Sequence, residues 1–322
     1  MSRKLNRREL LTLAGTAACS SLWTSVMQGA DRPALIVDTH QHLWDLSWQD
    51  LPWLQGGGPL AQNYTTREYL EATAGWNVKA VYMEVDVAAG QKRAEVEHVV
   101  GLARDPKTPT VAAVVGGRPG EPEFAEYVKF LKQFPEVKGV RQVLHGGHPA
   151  GYCLKPEFVK SIQLLGEQHL SFDLCMRPED LADGLELTRQ APGTRYILDH
   201  CGNIDPLLFQ RTDAEARARM TNWKRNLTAL AERPNVICKI SGVIASVPEA
   251  PQAEVLAPVI NFCLETFGPE RVVFGSDWPV CLKGAPLATW LKVLSEIIAE
   301  RPATDQQLLW SGNAIRFYGL KL

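Results

Sequence analysis

The chain has 322 residues, of which 45% are hydrophobic and 22% charged, with a formal net charge of −2. That balance excludes a disordered chain, a disulfide-stapled miniprotein and a protein drawn to nucleic acid by charge alone. The length can bury a large core in one or two domains, and no apolar run reaches the roughly 18 residues that predict a membrane span.

Residues 1–30 read as an address. Arg3, Lys4, Arg7 and Arg8 precede a weakly apolar stretch that begins at Leu10. A basic head followed by an apolar stretch is the layout of an export signal. The pair Arg7–Arg8 before Glu9, Leu10 and Leu11 resembles a twin-arginine signal, which hands folded proteins to the twin-arginine export machinery. The expected location is periplasmic or otherwise exported. Gly29-Ala30 offers a small-residue cleavage point, although Gln28 is a poor residue at the −3 position. Cys19 follows Ala17-Ala18, but Thr16 stands where a lipoprotein signal usually has Leu. Beyond this segment Cys153, Cys175, Cys201, Cys238, Cys263 and Cys281 are scattered, with no C-x-x-C pair. In an oxidising compartment six could pair, but Cys175, Cys238 and Cys263 sit in apolar segments, and the set reads as mostly free, buried thiols.

Residues 31–322 read as one domain of alternating strand and helix. Short β-branched, apolar runs begin near Leu35, Val78, Thr110, Val137, Leu170, Thr194, Asn235 and Arg271. Between them lie helical stripes: Phe124, Tyr127, Val128, Leu131 and Phe134; Met220, Trp223, Leu227 and Leu230; Leu256, Ile260, Cys263, Leu264 and Phe267. His98 and His169 fall in helical stretches and read as structural. Eight such alternations predict a parallel sheet, and the count points to a single (β/α)₈ TIM barrel. The rival, an open doubly wound sheet, usually carries a Gly-rich loop after its first strand. Here that position reads Asp38-Thr39-His40-Gln41-His42. The stretch 43–65, with Gly56-Gly57-Gly58, reads as a lid.

Polar residues recur where the strands should end. In chain order these are His40 and His42, Glu84, Arg141 with His145, Asp173, His200, Lys239 with Ser241, and Asp277. A barrel gathers its chemistry at that face. Residues i and i+2 of a strand face the same side, so both imidazoles of His40 and His42 can reach one ion. Carboxylates complete such sites. Glu84 and Asp277 end the two strands that flank the first in a closed barrel. The expected ligand set is therefore His40, His42, Glu84 and Asp277. Asp38 shares the histidines' parity and is expected to orient one of them.

The segments DTHQHLWD (38–45), GVRQVLH (139–145), LDHCGN (198–203), RVVFGSDWPV (271–280) and GNAIRFY (312–318) resemble the amidohydrolase superfamily. More narrowly, they resemble the family 2 branch of lactone hydrolases, over residues 35–318. The resemblance implies a TIM barrel of the metal-dependent hydrolase type that opens lactones or related bonds. It departs from the two-metal pattern, because the fifth strand reads Ser171-Phe172-Asp173-Leu174-Cys175 where those enzymes place a histidine. The expected cofactor is one divalent metal ion, zinc; the resemblance also leaves a metal-free site open.

Opening a lactone requires a water nucleophile, oxyanion stabilisation and a proton for the leaving alkoxide. The expected catalytic residues are Asp277 to activate water, His200 to stabilise the oxyanion or protonate the leaving group, and Lys239 as a second oxyanion group. Arg141, His145 and Arg177 are expected to bind substrate carboxylate or hydroxyl groups. Trp44, Trp48, Trp53 and Trp278 cluster near strand ends 1 and 8 and offer flat faces to a sugar-like ring or roof the barrel, with Trp44 and Trp278 the expected substrate contacts. The alternative is a metal-dependent decarboxylase of the same superfamily, which shares the strand-1 histidines and the strand-8 aspartate. The expected partner is a small-molecule substrate, with a homo-oligomer left open.

Overall fold

The structure, a computed structural model, describes residues 32–248 and 252–322. The segment 1–30, expected to be an export signal, lies with Arg7, Arg8 and Cys19 outside the described residues. Leu35–Leu322 forms one compact unit.

Eight parallel strands run in sequential order: β1 (Ile36–Gln41), β2 (Val78–Met83), β3 (Thr110–Gly116), β4 (Val137–Val143), β5 (Ser171–Cys175), β6 (Arg195–Leu198), β7 (Val236–Ile240) and β8 (Val272–Phe274). Each begins within one residue of its expected start. A helix follows every strand: α1 (Thr66–Ala72), α2 (Lys92–Arg104), α3 (Phe124–Leu131), α4 (Pro156–Glu167), α5 (Leu181–Gln190), α6 (Ala214–Ala231), α7 (Ala253–Phe267) and α8 (Leu287–Ile298). Two short helices close the chain, α9 (Ala303–Gln307) and α10 (Asn313–Tyr318). This is the expected (β/α)₈ barrel.

Strands covered on both faces need apolar residues on both, which is why they read as continuous apolar runs. The helices need one buried stripe. On α7 it is Leu256, Ile260, Cys263, Leu264 and Phe267; on α6 it includes Trp223, Leu227 and Leu230. Phe134 lies past the end of α3 and still packs on the core. His98 lies on α2, whereas His169 lies beyond the end of α4 with φ +57°. Thr65 starts α1 with a capping box: its backbone N–H donates to Glu68 Oε2 at 2.8 Å, and its hydroxyl accepts from Arg67 N at 3.3 Å.

The core has two parts. The larger fills the space between sheet and helices. The smaller lies inside the barrel, where Val37, Val81, Val114, Ile197, Ile237 and Val273 meet Ala314, Tyr318 and Leu320 from the C-terminal end.

The seam between β1 and β8 is closed by a single bridge, Gln41–Trp278, and by side chains. Thr39 Oγ1 donates to the Phe274 carbonyl at 2.6 Å, and Asp38 Oδ1 accepts from Ser276 N at 2.7 Å. Because β8 has only three residues, the chain after Phe274 is free to turn into the barrel mouth. The ladder between β1 and β2 shifts register between Asp38 and Gln41. That bulge breaks the strict alternation of β1. Asp38 therefore faces α1, where Tyr69 donates to its Oδ2 at 2.7 Å, and not the histidine rings. The expected orienting role of Asp38 is corrected on that ground: it ties β1 to β8 and α1.

Among the described residues no helix is long and apolar enough to cross a membrane. All six cysteines of the described part are free and buried.

Candidate active site

The barrel mouth holds a pocket of about 370 Å³. His42, Arg141, His145, His200 and Asp277 line it, with Trp44, Trp53 and Lys283 also in its wall. Below the pocket is a wholly buried layer of charge: Asp173, Asp199, Lys239 and His40. Below that lies the apolar inner core. The pocket therefore sits on a charged floor resting on packed valines and isoleucines.

Asp277 is held by backbone geometry. Its φ is +57°, a left-handed conformation that is uncommon for a residue with a side chain. The Cys281 N–H caps the Asp277 carbonyl at 2.8 Å. Its Oδ1 lies 3.4 Å from His42 Nε2 and 3.7 Å from His40 Nε2. Burial pushes the Asp277 carboxyl up, but His200, His42 and Arg141 outweigh it and hold the group below its ordinary value. Asp277 is thus an ionised carboxylate at the pocket floor.

His42 Nδ1 lies 3.0 Å from the Met83 carbonyl, which can only accept, so this nitrogen carries the proton. With Nδ1 committed to that carbonyl, Nε2 is the ring nitrogen that faces the carboxylate. Two electron-rich atoms 3.4 Å apart call for a proton or a cation between them. The ligand atoms of His40, His42 and Asp277 all lie within 4.8 Å of one another. Two imidazole nitrogens and a carboxylate oxygen form a donor set suited to one divalent ion with an open position.

His40 is pinned from both sides. Lys239 Nζ is 3.1 Å from its Nδ1, and Arg141 Nη1 is 3.1 Å from its Nε2. Burial and the Lys239 charge hold its pKa well below the ordinary value, so the ring is neutral. Asp199 Oδ1 stands 3.6 Å from Nδ1. It is the carboxylate placed to orient this ring. A second group of potential metal ligands, His40, Asp199 and His200, shares that corner.

His200 and its neighbours follow β6 in a left-handed run: φ is +53° at His200, +53° at Cys201, +72° at Gly202 and +57° at Asn203. The run turns the His200 ring into the pocket, where Nδ1 meets Ser241 Oγ at 2.9 Å. Gly242, at φ +71°, lies against that ring, and a Cβ there would overlap it. Burial lowers the His200 pKa, with Asp277 and Asp199 opposing, so the ring is neutral near pH 7. Burial also lowers that of His145, with the His200 and Arg141 charges assisting.

Several expected roles change. Glu84 does not join the metal donors. Its Oε1 accepts from Arg141 Nε at 2.8 Å, and its Oε2 accepts from Asp86 N at 2.7 Å. Arg141 takes the carboxylate because a guanidinium buried here needs a counter-charge. Arg141 nevertheless lines the pocket. Lys239 does not reach the pocket. It is wholly buried, 2.8 Å from Asp173 Oδ2 and 2.9 Å from Asp199 Oδ1. Arg177 turns outward to Asp180 Oδ2 at 2.5 Å and is absent from the pocket lining. Trp278 is buried behind the seam, its ring 5.4 Å from that of Tyr64 and 5.3 Å from that of Tyr69. Following Asp277 directly, it is thrown to the opposite face. Trp44 and Trp53 supply the aromatic wall instead, with ring centroids 5.6 Å apart. Asp199 is the residue the sequence reading left out, although it stands beside His200 in the quoted LDHCGN segment.

The sequence profile of the amidohydrolase family matches residues 37–320. The chain is 28% identical to an L-fucono-1,5-lactonase of Burkholderia multivorans over 296 residues, which cover 89% of this chain and 97% of that one. It is 28% identical to an L-rhamnono-gamma-lactonase of Scheffersomyces stipitis, across 76% of this chain and 85% of the relative. Among solved structures it resembles an amidohydrolase from Burkholderia multivorans with bound zinc, with a TM-score of 0.76, 26% identity, and coverage of 89% of this chain and all of that one.

Proposed function

The chain belongs to the amidohydrolase family, and from that premise we propose that it is a hydrolase that opens the ring of a sugar lactone by water attack on the carbonyl. The observation that carries this reading is the ionised Asp277 at the floor of a polar pocket, within 3.4 Å of His42 and beside a neutral His200. The lactonase relatives support the substrate class. The aromatic wall of Trp44 and Trp53 suits a ring with apolar faces.

Asp277 orients the attacking water and takes its proton. The carbonyl oxygen gains charge as the new C–O bond forms. A neutral His200 cannot supply a full proton to the leaving group, but it can donate an N–H bond to that oxyanion. Arg141, charged and in the pocket wall, adds a second donor. The ring C–O bond then breaks, and the alkoxide recovers the proton from Asp277. The products are a hydroxy acid and its released proton.

One divalent ion, zinc, is part of the proposal, with His40, His42 and Asp277 as its holders. Such an ion lowers the pKa of a bound water to about 7 and polarises a carbonyl. Asp199 keeps the His40 ring turned toward this set.

The test is acid release from a panel of aldonolactones, with carbon dioxide measured in parallel, before and after chelator treatment and zinc restoration. The reading expects acid without carbon dioxide, lost on chelation and restored by zinc. Carbon dioxide from aromatic acids, with no acid from any lactone, would favour the decarboxylase. Acid release untouched by complete metal removal would leave the lactonase reading standing and remove the zinc.

A further inference from the structure

Cys201, Cys238 and Cys263 take no part in the chemistry above. All three are wholly buried and free. They come from three separate elements: the left-handed run after β6, strand β7 and helix α7. Their sulfur atoms lie within 4.8 Å of one another. No imidazole or carboxylate belongs to the group. Beyond the triad, the Cys201 thiol meets the Lys239 carbonyl at 3.8 Å and the Ser241 backbone N–H.

Filling the space between a sheet and a helix requires small apolar groups, not three sulfurs meeting tip to tip. An all-sulfur donor set selects thiophilic ions over hard ones. With metal–sulfur bonds of about 2.3 Å, three sulfurs in a trigonal plane stand about 4.0 Å apart. The triad therefore needs little movement to close around an ion. Structural zinc takes four ligands, and these three buried sulfurs offer no fourth. Burial also penalises net charge. A monovalent ion held by one thiolate and two thiols is neutral, with one proton released on binding.

We propose that Cys201, Cys238 and Cys263 form a buried three-sulfur site for a single cuprous ion, adjoining the loop that carries His200. Occupancy ties the left-handed run to β7 and α7. Cys153, Cys175 and Cys281 belong to no such group among the described residues and serve as internal controls.

The experiment is anaerobic titration of the fully reduced, full-length protein with cuprous ion against a colorimetric chelator, followed by X-ray absorption at the copper edge. One copper per chain should be retained, with a sulfur-only shell at about 2.3 Å. Cys238→Ser and Cys263→Ala should each weaken retention at least tenfold, with far-ultraviolet circular dichroism unchanged. The alanine variant keeps the site apolar should a buried serine impair folding. Cys153→Ser and Cys281→Ser should retain copper as the wild type does. The proposal is overturned if the wild type holds no copper against the chelator. It is equally overturned if folded triad variants hold copper as well as the wild type, or if nitrogen or oxygen enters the shell.

Discussion

Lys239 is held between Asp173 and Asp199 with no access to solvent. Burial would strip its charge, but the two carboxylates more than compensate and raise its pKa above the ordinary value. Burial raises the Asp173 carboxyl to about 7, against the pull of Lys239. The lysine is thus the counter-charge of the floor rather than a reagent. Lys239→Met should cost about 3–5 kcal/mol of stability in chemical denaturation, because it strands two buried carboxylates. A loss below about 1 kcal/mol would show that this floor does not depend on the ammonium. His200 supplies a second prediction. Burial places its folded pKa below 6.5, so it is neutral above that pH and gains a proton as pH falls. Asp277 also stays ionised until well into acid. The His200 ring, followed by NMR in the metal-free protein, should take up its proton with a midpoint below pH 6.5. A midpoint at about 7 or higher would contradict a neutral His200. His40, His42, His200 and Asp277 were legible because each stands at a strand end. The partners of Glu84 and Lys239 were not. Which opposite charge a buried cation meets depends on the three-dimensional layer, and spacing along one strand carries no trace of it.

The elements themselves were legible to within a residue at each strand start, since a strand buried on both faces must be apolar throughout. What the pattern hid was the bulge in β1. Strict alternation would have put Asp38 with His40 and His42, and the register shift sends it to α1. Trp278 shows the same limit at β8, where the short strand and the turn at Asp277 decide which side chain faces the pocket. The turn between β7 and α7 makes a prediction of its own. Gly242 sits at φ +71° with its missing Cβ directed at the His200 ring. Gly242→Ala must displace that ring or strain the turn. Turnover should fall at least tenfold while thermal stability drops by a few degrees. Wild-type turnover in this variant would show that the ring's position is not set by this contact.

At the scale of the whole molecule, the barrel stacks three layers: an apolar base, a buried charged floor and an open reactive mouth. The base is packed and closed from below by Tyr318 of α10. The floor fixes His40 between two cations, and the mouth sets Asp277 in the wall of the pocket. The count of eight alternations was readable from the chain, and so were the motifs that resemble the family. The aromatic cluster was readable but not its split, because Trp44 and Trp53 reach the pocket and Trp48 and Trp278 do not. The most direct test of this account is the initial rate of acid release from L-fucono-1,5-lactone and L-rhamnono-gamma-lactone, measured side by side for the wild type and Asp277→Asn. The account predicts release well above the spontaneous rate for the wild type on at least one of them. It predicts no release above background for the variant, with an unchanged circular dichroism spectrum. A folded Asp277→Asn enzyme that opens the same lactone at the wild-type rate would contradict it.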